Sequence, residues 1–289
     1  MEQGFIKVAA VTPKIRVADP AYNAGVICER LEEACGNGAK IIVFPELCIT
    51  GYTCGDLFLQ EILLREAARQ LLRIAERTRG RDALVMVGLP VEREGRLYNV
   101  AAVLRDGEIL GMIPKANIPS YAEFYEGRHF AEGNAEPVPF PFMGRTVPFG
   151  TNILFSCETV HGLTVGCEIC EDLWVADAPA VNHALKGATV IANLSASNET
   201  IGKDEYRELL VKSVSARLLC GYVYASAGEG ESTQDLVFGG HNLIAENGTI
   251  LAQVKKFTCE TLYGDIDVWK LLADRRRMGT FGKEPEAAY

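Results

Sequence analysis

The chain reads as an α/β protein in which two mixed β-sheets are faced by helices, a layered sandwich. Three observations carry that expectation. Short apolar runs without polar alternation recur at "FIKVAAVTP" (5–13), "AKIIVFPEL" (39–47), "ALVMVGLPV" (83–91) and "ATVIANLSAS" (188–197). Strands covered on both faces read in this way. Helical patterns with a three-to-four-residue apolar period lie between the runs. Finally, Asp-Gly at 106–107, His-Gly at 161–162 and Asn-Gly at 247–248 mark hairpins, which a purely parallel doubly wound sheet does not accommodate.

The elements follow in order. After the first strand, Asp19 caps a helix that starts with Pro20, carries Val26, Ile27, Leu31 and Ala34 as its stripe, and stops at Gly-Asn-Gly 36–38. The strand at 39–47 ends its apolar run at Pro45–Glu46, and a long helix is expected over 56–79, stopped by Gly80. The strand at 83–91 precedes a hairpin turning at Asp106–Gly107. The Pro-rich, aromatic stretch 119–148 has little periodicity and is expected to be a long functional loop. A second hairpin turns at His161–Gly162, and a short helix covers 177–185. The strand at 188–197 leads to a helix over 204–220 with the stripe Tyr206, Leu210, Val214 and Leu218. A strand at 222–228 and a hairpin through Asn247–Gly248 complete the pattern, with no internal repeat and no low-complexity segment. Residues 1–270 are expected to form one domain and 271–289 a linker-like C-terminal segment.

Composition narrows the class. Apolar residues make up 48% and charged residues 23% of the 289, which describes an ordinary globular protein that folds without disulfides. A net charge of −9 argues against a nucleic-acid partner, since such binding concentrates Lys and Arg, and the one basic cluster is Arg275–Arg276–Arg277. No apolar run approaches the ~20 residues that span a bilayer, so no membrane partner is expected. The N-terminal "MEQGFIKVAAVTP" resembles a strand and not a basic stretch leading an apolar core. The nine cysteines are odd in number and scattered, which fits a reducing compartment, and a cytoplasmic location is expected.

Chemistry concentrates in "GCEICEDLWV" (166–175). Val165, Cys167 and Ile169 share one face of the expected strand, so Cys167 behaves as a small core hydrophobe. Cys170 stands where the strand stops, with backbone N–H groups following it, a placement that serves a nucleophile. A metal clip would need two further soft ligands. There is no second C-x-x-C and only four histidines, so no metal site is expected. A thioredoxin-like redox pair would sit at a helix start, outside this hairpin context. Taken alone a cysteine here is more often structural than catalytic, and a thiol nucleophile needs a base and a stabiliser of negative charge. Glu46 and Lys115 each stand where another buried strand emerges, and either alone would read as a solvated strand end.

The blocks "FPELCITGY", "PKANIPSYAEFYEGRHF" and "GCEICEDLW" resemble the signature blocks of the nitrilase, or carbon–nitrogen hydrolase, superfamily. More narrowly, with "NLSASNE" and "DRRRMGTF", they are similar to the glutaminase domain of glutamine-dependent NAD synthetase, over residues 5–282. The resemblance implies a nitrilase-type αββα four-layer sandwich and a Glu46–Lys115–Cys170 triad. It implies that L-glutamine is hydrolysed through a Cys170 thioester, with Glu46 as base and with Lys115 and the Glu171 N–H stabilising the oxyanion. Tyr121, Phe124, Glu171, Ser197 and Lys203 are the implied substrate contacts, and Glu126 is the implied supporting glutamate. The glutaminase reaction would use no cofactor, and a homo-oligomer is expected.

This sequence departs from the longer synthetases in having no SGG-x-DS phosphate loop; "AGEGES" (227–232) lacks the required residues. ATP and magnesium would belong to a synthetase domain absent here, toward which 271–289 would lead. Two other readings stand beside the glutaminase: a free-standing amidase or carbamoylase acting on another small amide with the same triad, and a silent scaffold that docks a synthetase. Retention of Glu46, Lys115 and Cys170 together argues against the scaffold.

Overall fold

In the computed structural model, which describes residues 4–282, the strands divide between two mixed sheets. The first is formed by β1 (Phe5–Val11), β2 (Ile41–Val43), β3 (Leu84–Arg93), β4 (Arg96–Arg105), β5 (Glu108–Pro114), β6 (Val138–Phe142) and β7 (Arg145–Phe149). The second is formed by β8 (Leu154–Ser156), β9 (Thr164–Ile169), β10 (Val190–Ser195), β11 (Gly221–Ser226), β12 (Leu243–Glu246) and β13 (Thr249–Gln253). A last strand, β14 (Thr261–Asp267), returns to the first sheet beside β1. The orders are β14-β1-β2-β3-β4-β5-β7-β6 and β13-β12-β11-β10-β9-β8. Helices α1 (Pro20–Gly36) and α2 (Glu61–Arg77) cover the outer face of the first sheet. Helices α3 (Pro179–Leu185) and α4 (Lys203–Arg217) cover that of the second. The four layers are those expected.

Period-two alternation builds the middle of the sandwich. Ile6, Val8 and Ala10 of β1 meet Val190, Ala192 and Leu194 of β10 between the sheets, while Ala9 and Val11 turn toward α1. Each buried Val, Leu or Ile contributes roughly 1.5–3 kcal/mol. A one-residue slip of β10 would put Asn193 and Ser195 into that apolar layer, so the register is strongly set.

Several expectations need correction. The stretch 119–148 is not one loop, because it contains β6 and the start of β7, which pair through a turn at Met143–Gly144 with both residues at positive φ. Pro139, Pro141 and Pro148 hide these strands in the sequence, yet they point to solvent at the sheet edge, where proline is tolerated. Phe140, Phe142, Val147 and Phe149 alternate with them into the core. The helix expected over 56–79 is two pieces, a 3-10 turn over 55–59 and then α2, separated by the extended residue Gln60. Strands β3 and β4 form a hairpin at Glu94–Gly95, and pairing of β8 with β9 ends at Ser156–Thr164, so that connection is wider than a two-residue turn. On α4 the buried face is Arg207, Val211, Val214 and Ser215, and Tyr206 is exposed.

At the C-terminal end, β14 is followed by α5 (Val268–Arg277). The boundary expected after residue 270 falls inside this helix. Leu271 is buried, and the Arg275 guanidinium donates to the carbonyls of Ala188 (2.6 Å) and Leu219 (3.0 Å). The helix thus packs on the sandwich, and residues 283–289 lie outside the described ones.

Candidate active site

Topology brings four strand ends to one place. Strand β2 runs parallel to β1 and β3, and the two antiparallel steps from β3 through β4 restore that direction in β5. Strands β9, β10 and β11 are likewise parallel to one another. Glu46 follows β2, Lys115 follows β5, Cys170 follows β9 and Ser197 follows β10.

Local geometry sets each side chain. Past β2 the chain folds tightly against β3 at Gly88, where an added Cβ would lie 2.2 Å from the Leu47 nitrogen and 2.6 Å from the Pro45 oxygen. Only glycine admits that approach. Cys170 has φ +45, a left-handed conformation that costs a non-glycine residue free energy and persists only where surroundings enforce it. Two side chains enforce it here. The Asn193 amide oxygen accepts from the Cys170 N–H (3.3 Å), and the Asp172 carboxylate accepts from the Ile169 N–H (3.0 Å) and the Asn117 N–H (2.9 Å). Asp172 thereby ties the segment after β5 to the turn after β9, across the two sheets.

Lys115 is fully buried between two carboxylates. Its ammonium lies 2.7 Å from Glu46 Oε1 and 2.7 Å from Glu126 Oε1. The Asn99 side-chain amide donates to Glu46 Oε1 (2.6 Å), the Ala196 N–H donates to Glu46 Oε2 (2.9 Å), and the Tyr52 hydroxyl donates to Glu126 Oε1 (2.7 Å). Burial pushes Glu46 up to about 7 against the opposing pull of Lys115. For Lys115 burial works against the charged form, but Glu126 and Glu46 outweigh it and hold the amine as ammonium. The Cys170 thiol is pushed well up by burial and then by Glu46, with Lys115 opposing. The arrangement is a neutral thiol beside a carboxylate that ionises near neutrality and an ammonium able to compensate new negative charge.

A cavity of ≈ 200 Å³ opens onto Cys170 and is lined by Tyr121, Phe124, Glu171, Ser197 and Lys203. All five expected contact residues therefore meet there. The Tyr121 hydroxyl donates to Glu171 Oε1 (2.7 Å), and the Lys203 ammonium stands over the rings of Phe124 (5.1 Å) and Trp174 (5.2 Å). Burial lowers the Lys203 pKa, aided by the Arg207 charge and opposed by Cys170, Glu123 and Glu199. Glu126 lies behind Lys115 and outside this cavity. A larger cavity of ≈ 330 Å³, lined by Tyr52, Phe124 and Glu126 among others, does not reach Cys170. Among the described residues no group of three or more His, Cys, Asp or Glu is arranged to hold a metal ion. Cys167 faces the inter-sheet core, and all nine cysteines are free.

Sequence reasoning missed Asn99, Tyr52, Asp172 and Trp174. Asn99 alone left a signal, as the polar residue inside the apolar run "LYNVAAVL".

The carbon-nitrogen hydrolase family profile matches residues 7–276. The glutamine-dependent NAD(+) synthetase of Mycobacterium tuberculosis (strain H37Rv) is 42% identical over 282 residues, which cover 97% of this chain and 42% of that protein. That of Aquifex aeolicus is 34% identical over 252 residues, 85% of this chain and 41% of that one. The crystal structure of a glutamine-dependent NAD(+) synthetase from Cytophaga hutchinsonii superposes with a TM-score of 0.82 at 30% identity, over 91% of this chain and 43% of that chain. An amidase of the nitrilase superfamily from Nesterenkonia AN1 superposes with a TM-score of 0.72 at 19% identity over 96% of both chains, a likeness of fold. The chain thus spans less than half the length of the synthetases it matches.

Proposed function

The chain belongs to the carbon–nitrogen hydrolase family, and from that premise we propose that it hydrolyses the side-chain amide of L-glutamine through a thioester on Cys170. The observation that carries this reading is the cavity ending at Cys170: beside Glu123, which accepts from the Asn198 amide, it presents the anion Glu171 and the cation Lys203. That pair matches the ammonium and carboxylate of a free amino acid, and the distance from head to side chain is left to Tyr121 and Phe124.

The chemistry follows from the geometry. Glu46 takes the thiol proton as the sulfur attacks the amide carbon, since a thiol held neutral by burial reacts only with a base beside it. Charge builds on the amide oxygen, where the Lys115 ammonium and the backbone N–H of Glu171 stabilise it. The C–N bond breaks, the nitrogen takes the proton from Glu46, and ammonia departs. Glu46 then deprotonates a water that attacks the thioester, and the departing thiolate recovers a proton as glutamate leaves. Glu126 holds Lys115 charged and in place throughout. The ammonia supplies an amide-forming NAD synthetase, whose ATP and magnesium act outside this region. We place the reaction in the cytoplasm of a homo-oligomeric enzyme; among the described residues no helix is long and apolar enough to cross a membrane.

Incubation with 6-diazo-5-oxo-L-norleucine, a glutamine-like electrophile, tests the reading. Covalent mass at Cys170, suppressed by added L-glutamine, is expected. Labelling by small amide analogues alone would instead favour an amidase acting on another amide, and no labelling by either would favour a silent scaffold.

Two quantitative expectations arise here. Glu171→Gln removes a charged partner worth roughly 1.5–3 kcal/mol, so the KM for glutamine rises about ten- to a hundred-fold while kcat changes less. The steady-state rate of glutamate release measures it. The second concerns pH. Glu46 acts when ionised and its pKa is pushed up to about 7. Log kcat/KM therefore climbs with pH below about 7, about one decade per unit, and levels above it. A flat profile from pH 5 to 8 would remove Glu46 from the role of base.

A further inference from the structure

We infer that Arg207 is the positioning residue of the glutamine pocket: it fixes the segment that carries Ser197, one of the substrate contacts expected from the resemblance. The inference rests on the glutamine reading above.

Arg207 projects from α4 and is fully buried. Its guanidinium donates to Ser197 Oγ (3.2 Å), the Asn198 carbonyl (3.1 Å), Glu199 Oε1 (2.9 Å) and His241 Nδ1 (2.9 Å). Three of the four partners are consecutive residues of the segment between β10 and α4. Burial and the neighbouring Arg207 charge push His241 down to about 4, so the ring is neutral and its Nδ1 is an acceptor for the arginine. Glu199 is wedged against the backbone at Gly239, where an added Cβ would lie 2.7–2.9 Å from Glu199 side-chain atoms. The ion pair is therefore fixed on both sides.

The consequence falls on the cavity. Arginine has no acceptor, so its contact with Ser197 uses an oxygen lone pair and leaves the O–H to donate, either to the neighbouring Tyr224 oxygen or to a ligand in the cavity. One helical turn before Arg207, Lys203 reaches the cavity and donates to the Asn198 side-chain oxygen, whose amide in turn donates to Glu123 (2.7 Å). The same helix thus holds the segment from behind through Arg207 and from the cavity side through Lys203. Glu199 balances the charge of Arg207, and the Lys203 ammonium remains for the ligand.

The experiment compares the rate constants for labelling Cys170 by 6-diazo-5-oxo-L-norleucine and by iodoacetamide, in the whole chain and in its Arg207→Lys and Ser197→Ala variants. Iodoacetamide has no amino-acid end and reports on the thiol alone. Expected in both variants is a loss on the order of ten-fold or more with the glutamine analogue, and a change within about two-fold with iodoacetamide. Parallel loss with both reagents in Arg207→Lys, or no loss with the glutamine analogue, would overturn the inference. Should Arg207→Lys fail to fold, Ser197→Ala decides, because a hydroxyl that does not contact the substrate can be removed without selective loss. Failure of the unaltered chain to show saturable labelling by the glutamine analogue would sink the glutamine reading and this inference with it. Saturable labelling that survives in both variants would sink this inference alone.

Discussion

Cys170→Ala is expected to abolish amide hydrolysis, with kcat falling on the order of 10⁶-fold, as when the nucleophile of a coupled catalytic unit is removed. Glu46 and Lys115 remain in that variant but have nothing to activate. Cys167→Ala supplies the contrast from three residues away. Its thiol lies in the inter-sheet core, with burial pushing its pKa far up and no cation beside it. That variant keeps turnover within a few-fold and loses on the order of 1 kcal/mol of stability from the vacated sulfur volume. The rates of glutamate release and urea unfolding of the two variants separate nucleophile from packing.

Lys115→Met is the second large effect, and it acts on both activity and stability. Loss of one oxyanion donor costs about 10²–10³ in kcat. The stability cost arises because the buried ammonium is the ion pair to both Glu46 and Glu126, at 2.7 Å from each. Breaking a buried pair typically costs about 3–5 kcal/mol, because a carboxylate is left without compensation. The pH dependence has a definite sign. Glu46 already has a folded pKa raised to about 7 from the ordinary 4.5, so its proton is held more tightly in the folded state. The penalty on folding is therefore absent below about 4.5 and grows as pH rises through 7. Without Lys115 the Glu46 pKa rises further and the penalty keeps growing to higher pH, so Lys115→Met should unfold closest to the unaltered chain at acidic pH and furthest from it at pH 8. An equal deficit at both pH values would contradict the account of the buried cluster.

How much of this could be read in the residues depended on whether a feature was local. The strand ends at Glu46, Lys115 and Cys170 were visible because an apolar run that stops at a charge or thiol is a local pattern. The strand-to-turn placement of Cys170 distinguished it from Cys167 by alternation alone. The hairpin of β6 and β7 was hidden because three prolines suggest a loop, and only knowledge that β6 is the edge strand and that β7 meets β5 at Phe149 alone makes those prolines admissible. The buried face of α4 was placed correctly at Val214 and Leu218 but missed Arg207, Val211 and Ser215, for a related reason. Tyr206 and Leu210 are more apolar than Arg207 and Ser215, yet Arg207 is buried because its partners come from the segment before the helix and from His241. Asn99 and Tyr52 escaped notice because a single polar residue has no periodicity. Their roles come only from contact with Glu46 and Glu126, residues far away in the chain. The assembly of the triad into a named chemistry came from resemblance to a family and not from spacing.

The central claim is that an acyl group passes through the Cys170 sulfur. Single turnovers of the chain with isotopically labelled L-glutamine, quenched in acid and read by peptide mass spectrometry, test it most directly. The account predicts that ammonia appears before glutamate, with a glutamyl group on the peptide at Cys170 in the interval and none on Cys167. Ammonia and glutamate appearing together with Cys170 unmodified, or a glutamyl group on Cys167, would contradict it.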